Sequence, residues 1–341
     1  MKKYFDTGAP IRFGLLGCGM ISRVHAEAIE QTAGAVLVGV ADADRGRAED
    51  FASCRGVRAY SSYEQMLADE GIDVISVCTP SFCHASNAIC ALRAGKHVVL
   101  EKPMAMTHEE AEEVARESER ADRLVSVVFQ RRFYDNVTKV KKAIDEGGFG
   151  RIVLCNLSMK YYRNEEYYAS SSWRGTLKYD GGAMMNQGIH GIDLVEYLVG
   201  EVKSVEGFTK TLCHKIEAED TAVAAFELEC GALGTICAST CTYPGFNLLL
   251  EIHGERGFVI MKDNTIERMM VNGKELEVES VDTYCGTASN PAAMTSEGHA
   301  LEYKNVVSAL LGECELLTDA REGARAIRLI SRISTSSAKR T

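Results

Sequence analysis

The apolar run Ile11 to Leu16 leads straight into Gly17-Cys18-Gly19-Met20-Ile21-Ser22, and few folds accommodate that junction. A strand, a Gly-x-Gly turn and a helix start line up backbone N–H groups in a way that suits a dinucleotide pyrophosphate. Gly17 permits the tight turn and Gly19 lets the backbone approach the phosphates, while Ser22 takes the third position, where Gly or Ala is usual. The pattern alone would also fit an ordinary loop. Its place between a strand and a helix is what selects Gly17, Cys18, Gly19, Met20 and Ile21 as candidate cofactor-binding residues.

The alternation continues. Runs of β type at Ala35 to Ala41, Val57 to Tyr60, Asp73 to Cys78, His97 to Leu100 and Leu124 to Phe129 are separated by helical patterns at Arg45 to Cys54, Tyr63 to Asp69 and Ala85 to Arg93. A long charged helix runs to Arg120 from Thr107, where Glu110 completes a capping box. Near-continuous Val/Ile/Leu strands alternating with helices predict a parallel sheet covered on both faces, an α/β Rossmann domain over residues 1–132. Ligands of such sheets bind beyond the carboxyl ends of the strands, so the stretches after Leu16, Ala41, Val77 and Leu100 are expected to converge on one crevice. Asp42 ends the second strand, where a carboxylate would accept hydrogen bonds from ribose hydroxyls and repel a 2′-phosphate. NAD is therefore favoured, and Arg45 and Arg47 keep NADP open because a guanidinium could accommodate that phosphate.

After a helical pattern ending at Gly147-Gly148 the texture changes. Arg151 to Tyr161, Val202 to Thr209, Thr221 to Glu229, Ala232 to Ser239, Leu248 to His253 and Gly257 to Met261 are β-rich with partial alternation, and turns such as Glu229-Cys230-Gly231 separate several of them. One helix, Gly188 to Leu198, interrupts, and Glu297 to Leu311 and Arg321 to Ile333 read as closing helices. Residues 133–341 are expected to form an α+β domain for substrate binding and oligomerisation. Its large, open-faced, mainly antiparallel sheet would pair copies of the chain into a homodimer or homotetramer.

A net charge of -10 with no dense basic run argues against a nucleic-acid partner. No apolar stretch approaches the ~20 residues needed to cross a bilayer, and the run after Lys2-Lys3 is read as the first strand rather than a leader. The 12 cysteines form no CxxC pair, and Cys78/Cys83 and Cys237/Cys241 lack zinc-type spacing and accompanying histidines. Reduced thiols in a cytoplasmic protein, and no metal, are the expectation.

Two segments carry titratable chemistry. Glu101-Lys102-Pro103 ends the fifth strand at the same sheet edge as the glycine turn. Oxidising a secondary alcohol requires a group that takes the hydroxyl proton while hydride leaves the same carbon. Lys102 can do this if desolvated or placed beside a cation, or it can stay charged and stabilise the developing alkoxide. Glu101 would orient it and Pro103 would stiffen the chain after it; the plainer reading is a solvated loop lysine. In Gly181-Gly182-Ala183-Met184-Met185-Asn186-Gln187-Gly188-Ile189-His190-Gly191-Ile192-Asp193-Leu194, helical spacing puts Asn186 and His190 on one face. His190 titrates near neutrality and Asn186 only hydrogen-bonds, although a lone helical histidine is also often just packed. Asp193 is read as a structural carboxylate, and Gly181-Gly182 as a place of close backbone approach. Tyr161, Tyr162, Arg163, Trp173 and Arg174 suit sugar stacking and hydrogen bonding, or equally aromatic packing under a loop.

With these residues in view, the chain resembles the Gfo/Idh/MocA family of nicotinamide-dependent oxidoreductases, which includes glucose-fructose oxidoreductase and inositol dehydrogenases. The likeness rests on Gly14 to His25, Cys78-Thr79-Pro80 through His84, Glu101-Lys102-Pro103, Phe129-Gln130-Arg131-Arg132-Phe133 and Gly181 through Leu194, in the family's order and over nearly the whole chain. The resemblance implies hydride transfer between a nicotinamide and a secondary hydroxyl of a sugar, sugar derivative or cyclitol. Carried over by position, it implies Lys102 and His190 as the catalytic pair, with His190 the proton acceptor. It places Thr79, Pro80, His84, Glu101 and Gln130 at the nicotinamide half of the cofactor site, and Cys78, Lys102 and Arg45 are further cofactor-binding candidates. Lys102, Arg131, Tyr162, Trp173, Asn186 and His190 are the substrate-binding candidates. Many members carry Asp where this chain has Asn186, and an amide cannot raise the basicity of His190 as a carboxylate would. That departure points to an altered proton relay or a different substrate. The alternative function is a non-catalytic regulator of the same fold that senses dinucleotide or sugar; the presence of both Lys102 and His190 speaks against it.

Overall fold

The computed structural model describes residues 2–277 and 295–339, so Cys285 lies outside the described residues. In chain order the elements are β1 (Ile11–Leu16), α1 (Met20–Gln31), β2 (Ala35–Ala41), α2 (Arg45–Arg55), β3 (Arg58–Ala59), α3 (Tyr63–Leu67), β4 (Val74–Val77), α4 (His84–Arg93), β5 (His97–Leu100), α5 (His108–Ala121) and β6 (Val125–Val127). There follow α6 (Asp135–Asp145), β7 (Ile152–Lys160), α7 (Glu165–Ala169), α8 (Ile189–Val199), β8 (Val202–Lys210), β9 (Thr221–Leu228), β10 (Leu233–Ser239), β11 (Leu249–Gly254), β12 (Phe258–Lys262), β13 (Thr265–Val271), β14 (Lys274–Glu275), α9 (Glu297–Leu310) and α10 (Ala320–Ala338). The chain divides into two compact units, Met1–Gln130 with Thr295–Ala324, and Arg131–Met294 with Arg325–Thr341.

In the first unit six parallel strands run in the order β3-β2-β1-β4-β5-β6. Every residue of β4 and β5 is buried, as a sheet with helices on both faces requires. Sequence order reverses between β1 and β4, and the carboxyl ends of those two strands mark the crevice where ligands of such sheets bind. The capping box of α5 forms: Thr107 Oγ1 accepts the Glu110 N–H and the Glu110 carboxylate accepts the Thr107 N–H, each at 3.2 Å. Helix α9, which the sequence groups with the second domain, packs in this unit instead. Its Tyr303, Val306, Val307 and Leu310 repeat at helical spacing and bury with Ile11, Phe13, Leu15, Ala26 and Ile29 in one core.

The second unit is built on an eight-stranded sheet in the order β14-β13-β12-β11-β7-β10-β9-β8. Its pairings are antiparallel except that of β7 with β10. Alternation sorts the two faces: on β9 Ala222, Ala224, Phe226 and Leu228 are buried, while Val223 between them is 45% exposed. Strand β13 escapes a period-two reading because the register shifts between Ile260 and Met261, leaving Glu267 and Arg268 both exposed in succession. The five-residue α7 is too short to show a helical period. No described helix is long and apolar enough to cross a membrane, and the described cysteines are free thiols.

Candidate active site

The turn after β1 is shaped for an anion. Gly17 donates its N–H to the Ala41 carbonyl at 2.8 Å. Its φ is +92°, and a Cβ there would sit 2.7 Å from the Cys78 carbonyl oxygen, so only glycine fits. Asp42 closes the turn from the end of β2: its Oδ2 accepts the Cys18 N–H at 2.7 Å and its Oδ1 the Asp44 N–H at 2.8 Å. Helix α1 then starts with no side-chain cap and no acidic residue in its first turn. Its leading N–H groups therefore remain available to a phosphate, and the space beside Gly19 is open. Ser22 is fully buried and donates its hydroxyl to the Gly19 carbonyl, which suits the close packing its position demands. Burial, and next the Asp42 carboxylate, push the Cys18 thiol up to about 12, so it is an inert wall of the loop. Of the two arginines weighed for a 2′-phosphate, Arg45 pairs with Glu49 at 2.7 Å in an exposed contact, and Arg47 is the one that approaches Asp42, at 3.7 Å.

Beyond β5 the chain delivers Lys102 from a buried seat. Glu101 Oε1 accepts the Nε2–H of His25 at 2.9 Å and lies 3.5 Å from His299 Nε2, while its Oε2 accepts the Lys102 N–H at 3.0 Å. Burial opposes ionisation of Glu101, but the imidazole hydrogen bonds outweigh it and hold the carboxyl well below the usual range. Burial lowers His25 as well, leaving a neutral ring that donates through Nε2. Its Nδ1 must then accept from the Tyr303 hydroxyl at 2.7 Å, and the Tyr303 oxygen from Ser76 Oγ at 2.7 Å. Lys102 itself is half-buried, and the Lys102–Pro103 peptide is cis. His84 is buried between two carbonyl oxygens, Pro103 at 2.7 Å and Thr79 at 2.8 Å. It staples the loop after β4 to the loop after β5 and holds Thr79 and Pro103 in place. Asn87 supports the same loop by donating to Thr79 Oγ1 at 3.1 Å.

In the second unit, residues Met184–Gly188 form a single π turn that runs into α8, so Asn186 sits in the π segment and His190 in the first turn of the α-helix. Such turns mark functional segments of helices often enough to note. The amide of Asn186 donates to Asp180 Oδ1, and Asp180 Oδ2 accepts the Gly175 N–H at 2.7 Å. A carboxylate therefore stands behind the amide that replaces the usual aspartate. The close approach at the glycine pair is to Glu219: a Cβ on Gly182 would lie 2.0 Å from its carboxylate. Glu219 Oε1 also accepts the Met184 N–H at 3.1 Å, which caps the start of the π turn. Asp193 forms a buried bidentate pair with Arg132, whose Nε lies 3.1 and 3.0 Å from the two carboxylate oxygens, and so plays the structural part expected of it.

The remaining candidates divide between the units. Gln130 is the last residue of the first stretch of the first unit, and Arg131 opens the second. Arg131 is mostly buried, with Nη1 donating to Asn264 Oδ1 at 3.2 Å and Nη2 3.6 Å from Asp263 Oδ1. Tyr162 meets Tyr243 edge-on at 5.3 Å between ring centroids. Trp173 carries the Arg174 guanidinium over its ring at 4.8 Å. Sequence reasoning missed His299 and Tyr303 beneath Glu101, Asp180 behind Asn186, and Glu219 against Gly182. Each is joined to its partner by packing, and no local spacing announces it.

Fold and site together define a Rossmann oxidoreductase with a nicotinamide dinucleotide site. Residues 11–129 match the model of an oxidoreductase family with an NAD-binding Rossmann fold, and residues 137–260 match the GFO/IDH/MocA C-terminal domain. The chain belongs to the Gfo/Idh/MocA family, and its cofactor is NAD. It is 37% identical to the WlbA dehydrogenase of Bordetella pertussis, solved in complex with NADH and UDP-GlcNAcA, over 98% of this chain and 97% of that one, with a TM-score of 0.87. The WlbA dehydrogenase of Chromobacterium violaceum, solved with the same two ligands, is 34% identical over 99% and 96% of the two chains, with a TM-score of 0.88. Inositol 2-dehydrogenase of Rhizobium meliloti is 28% identical over 94% of each chain.

Proposed function

We propose that this NAD-dependent oxidoreductase is a dehydrogenase that removes hydride from a secondary hydroxyl carbon of a sugar, and that its substrate class is a nucleoside diphosphate-linked sugar acid. Its strongest support lies in the first unit. The uncapped glycine turn after β1 and the Lys102 seat after β5 occupy the carboxyl ends of strands on either side of β4, at the topological switch point. The substrate class is supported by the two WlbA dehydrogenases, each solved with UDP-GlcNAcA.

Bound NAD supplies the hydride acceptor. The N–H groups of Gly19, Met20 and Ile21 would hold the pyrophosphate beside the turn that Gly17 and Cys18 shape, and Asp42 would accept from the adenine ribose. Lys102 stabilises the developing alkoxide, and His190 takes the hydroxyl proton. Asn186, backed by Asp180, orients the substrate by hydrogen bonding rather than by raising the basicity of His190. Arg131, Tyr162 and Trp173 are assigned to the sugar and its polar substituents, and Cys78, Thr79, Pro80, His84, Glu101 and Gln130 to the nicotinamide half.

The chain pairs with its own copies through the uncovered face of the eight-stranded sheet. Phe208, Val223, Leu233 and Leu154 are exposed there, and the Phe208–Val223 and Leu233–Leu154 pairs are direct cross-strand neighbours. A single-copy mass by light scattering at micromolar concentration would remove this part. Free thiols among the described cysteines suit a cytoplasmic protein.

The test of function is nicotinamide reduction followed by absorbance with NAD and a panel containing UDP-GlcNAcA, UDP-GlcNAc and myo-inositol. Turnover is expected with the sugar acid. Turnover on inositol alone would overturn the nucleotide-linked assignment while leaving the dehydrogenase. NADH binding with no turnover on a broad polyol panel would favour the sensor.

A further inference from the structure

Asp180 is 2% exposed and stands in the second unit between the Trp173 segment and the π turn that carries Asn186. Its two oxygens hold different stretches of chain. Oδ2 accepts the Gly175 N–H at 2.7 Å, and Oδ1 accepts from Nδ2 of Asn186. Gly175 is fixed in turn. Its φ is +71°, a Cβ there would lie 2.5 Å from Ile216, and its carbonyl accepts the N–H groups of Glu217 and Ala218 at 3.0 and 2.9 Å. Glu219 holds the start of the π turn by accepting the Met184 N–H at 3.1 Å. Beside Asn186, Gln187 donates Nε2 to the Tyr167 hydroxyl at 3.1 Å, and Arg174 donates Nη1 to the same oxygen at 2.7 Å. The carboxylate of Asp180 is thus anchored to backbone on one side before it meets Asn186 on the other.

That anchoring decides which way the amide points. A carboxylate only accepts, whereas an amide donates through Nδ2 and accepts through Oδ1. Facing Asp180, Asn186 offers Nδ2, and its Oδ1 is turned away from Asp180. A hydrogen bond to a carboxylate also polarises the amide, which makes Oδ1 a stronger acceptor. An aspartate at position 186 would set two carboxylates against each other, an arrangement that like charges disfavour. The buried Asp180 and the amide at 186 therefore belong together.

We propose that Asp180 is a positioning residue of the substrate site: it locks the Asn186 amide with Oδ1 toward the sugar, so that this subsite takes a hydrogen-bond donor, a hydroxyl or an amide N–H, and disfavours a keto or carboxylate oxygen. This polarity rests on the assignment of Asn186 to the substrate made above and adds which end of the amide the substrate meets. A sugar acid would then place its hydroxyl or acetamido N–H at Asn186 and its carboxylate elsewhere. Through the Gly175 N–H, the same carboxylate ties the turn that follows Trp173 and Arg174 to the segment that carries Asn186 and His190.

The experiment compares Asp180→Asn, Asn186→Asp and the double exchange of the two in the full chain, with NAD and the sugar that the substrate panel identifies. In Asp180→Asn the new amide keeps the Gly175 N–H on its oxygen and turns its own NH₂ toward Asn186, which must then flip. We expect kcat/KM for the sugar to fall about 10–100-fold with KM for NAD within about twofold of wild type. Asn186→Asp alone should fall at least as far. The double exchange again sets one donor against one acceptor and should recover about tenfold or more over Asn186→Asp, whereas losses from mere structural damage would add. It also puts a carboxylate near His190, so the acid limb of its kcat/KM profile should move to higher pH. A readout without turnover is the Asn186 side-chain amide in the NMR spectrum, identified by its loss in Asn186→Asp. In wild type one Nδ2 proton should lie downfield and exchange slowly, and both properties should disappear in Asp180→Asn. If Asp180→Asn does not fold, the wild-type resonance decides. A chain that turns over no sugar loses the dehydrogenase reading, and the same resonance still decides the lock. The proposal is overturned by Asp180→Asn with kcat/KM within about twofold of wild type, by a folded double exchange no better than Asn186→Asp, or by unshifted, fast-exchanging Asn186 amide protons.

Discussion

The Nε2–H of His25, on α1, donates to the carboxylate of Glu101 at 2.9 Å, immediately before Lys102 in the chain. Lys102 thus rests on a buried charge, with α1, β4 and α9 contributing His25, Ser76, His299 and Tyr303 to the network beneath it.

Glu101→Gln keeps the shape and removes the charge. We expect kcat to fall about 10–100-fold through loss of Lys102 orientation, an effect of one strong hydrogen bond or so. Glu101 is held low in the folded state, so its stabilisation is present above the ordinary carboxylate range and is lost as pH falls through the folded value. The variant should therefore have a lower Tm at neutral pH and a flatter decline on acidification. Unchanged kcat would remove the positioning role.

Glu302 has the opposite sign. Burial raises its carboxyl to about 8, outweighing hydrogen bonds from Ser126 at 3.1 Å and Thr318 at 3.2 Å. A raised acid contributes stability that is complete below its unfolded value and lost as pH climbs through about 8. Glu302→Gln should flatten the fall in Tm that runs from the ordinary carboxylate range up to about 8, without altering stability below that range. A wild-type Tm that does not fall between neutrality and mild alkali would contradict this.

Lys102→Ala should lower kcat/KM for the sugar by about 10²–10⁴-fold, the usual weight of a positioned proton-transfer or electrostatic group, with NAD affinity nearly intact. His190→Asn should remove a kinetic pKa near neutrality from the kcat/KM profile. Near-normal turnover in the first variant, or an unmoved profile in the second, would shift the chemistry to other residues.

Asp42→Ala deletes both the proposed ribose acceptor and the partner of the Cys18 N–H. KM for NAD should rise about 10–100-fold, corresponding to the 1.5–3 kcal/mol or so of hydrogen bonds to a charged group, and the preference over NADP should shrink. Adding Arg47→Ala should reverse part of the gain in NADP, because Arg47 is the guanidinium beside that position. A constant NAD/NADP ratio in the first variant would count against the ribose role.

The sequence by itself determined the elements whose signals are local. Strands β1 and β2 fall on the residues their apolar runs mark, the capping box of α5 forms, and the glycine turn sits between strand and helix. Backbone sterics and hydrogen bonding over a few residues decide these features, and neighbours in the chain carry that information. The family resemblance was legible for the same reason, since it rests on short ordered motifs.

Only the tertiary structure decided what stands behind those motifs. It assigns α9 to the first unit, sets His299 and Tyr303 under Glu101, puts Asp180 behind Asn186, and fills the space at Gly182 with Glu219. These partners come from distant stretches of chain, and strand pairing together with the burial of apolar faces selects which of them meet.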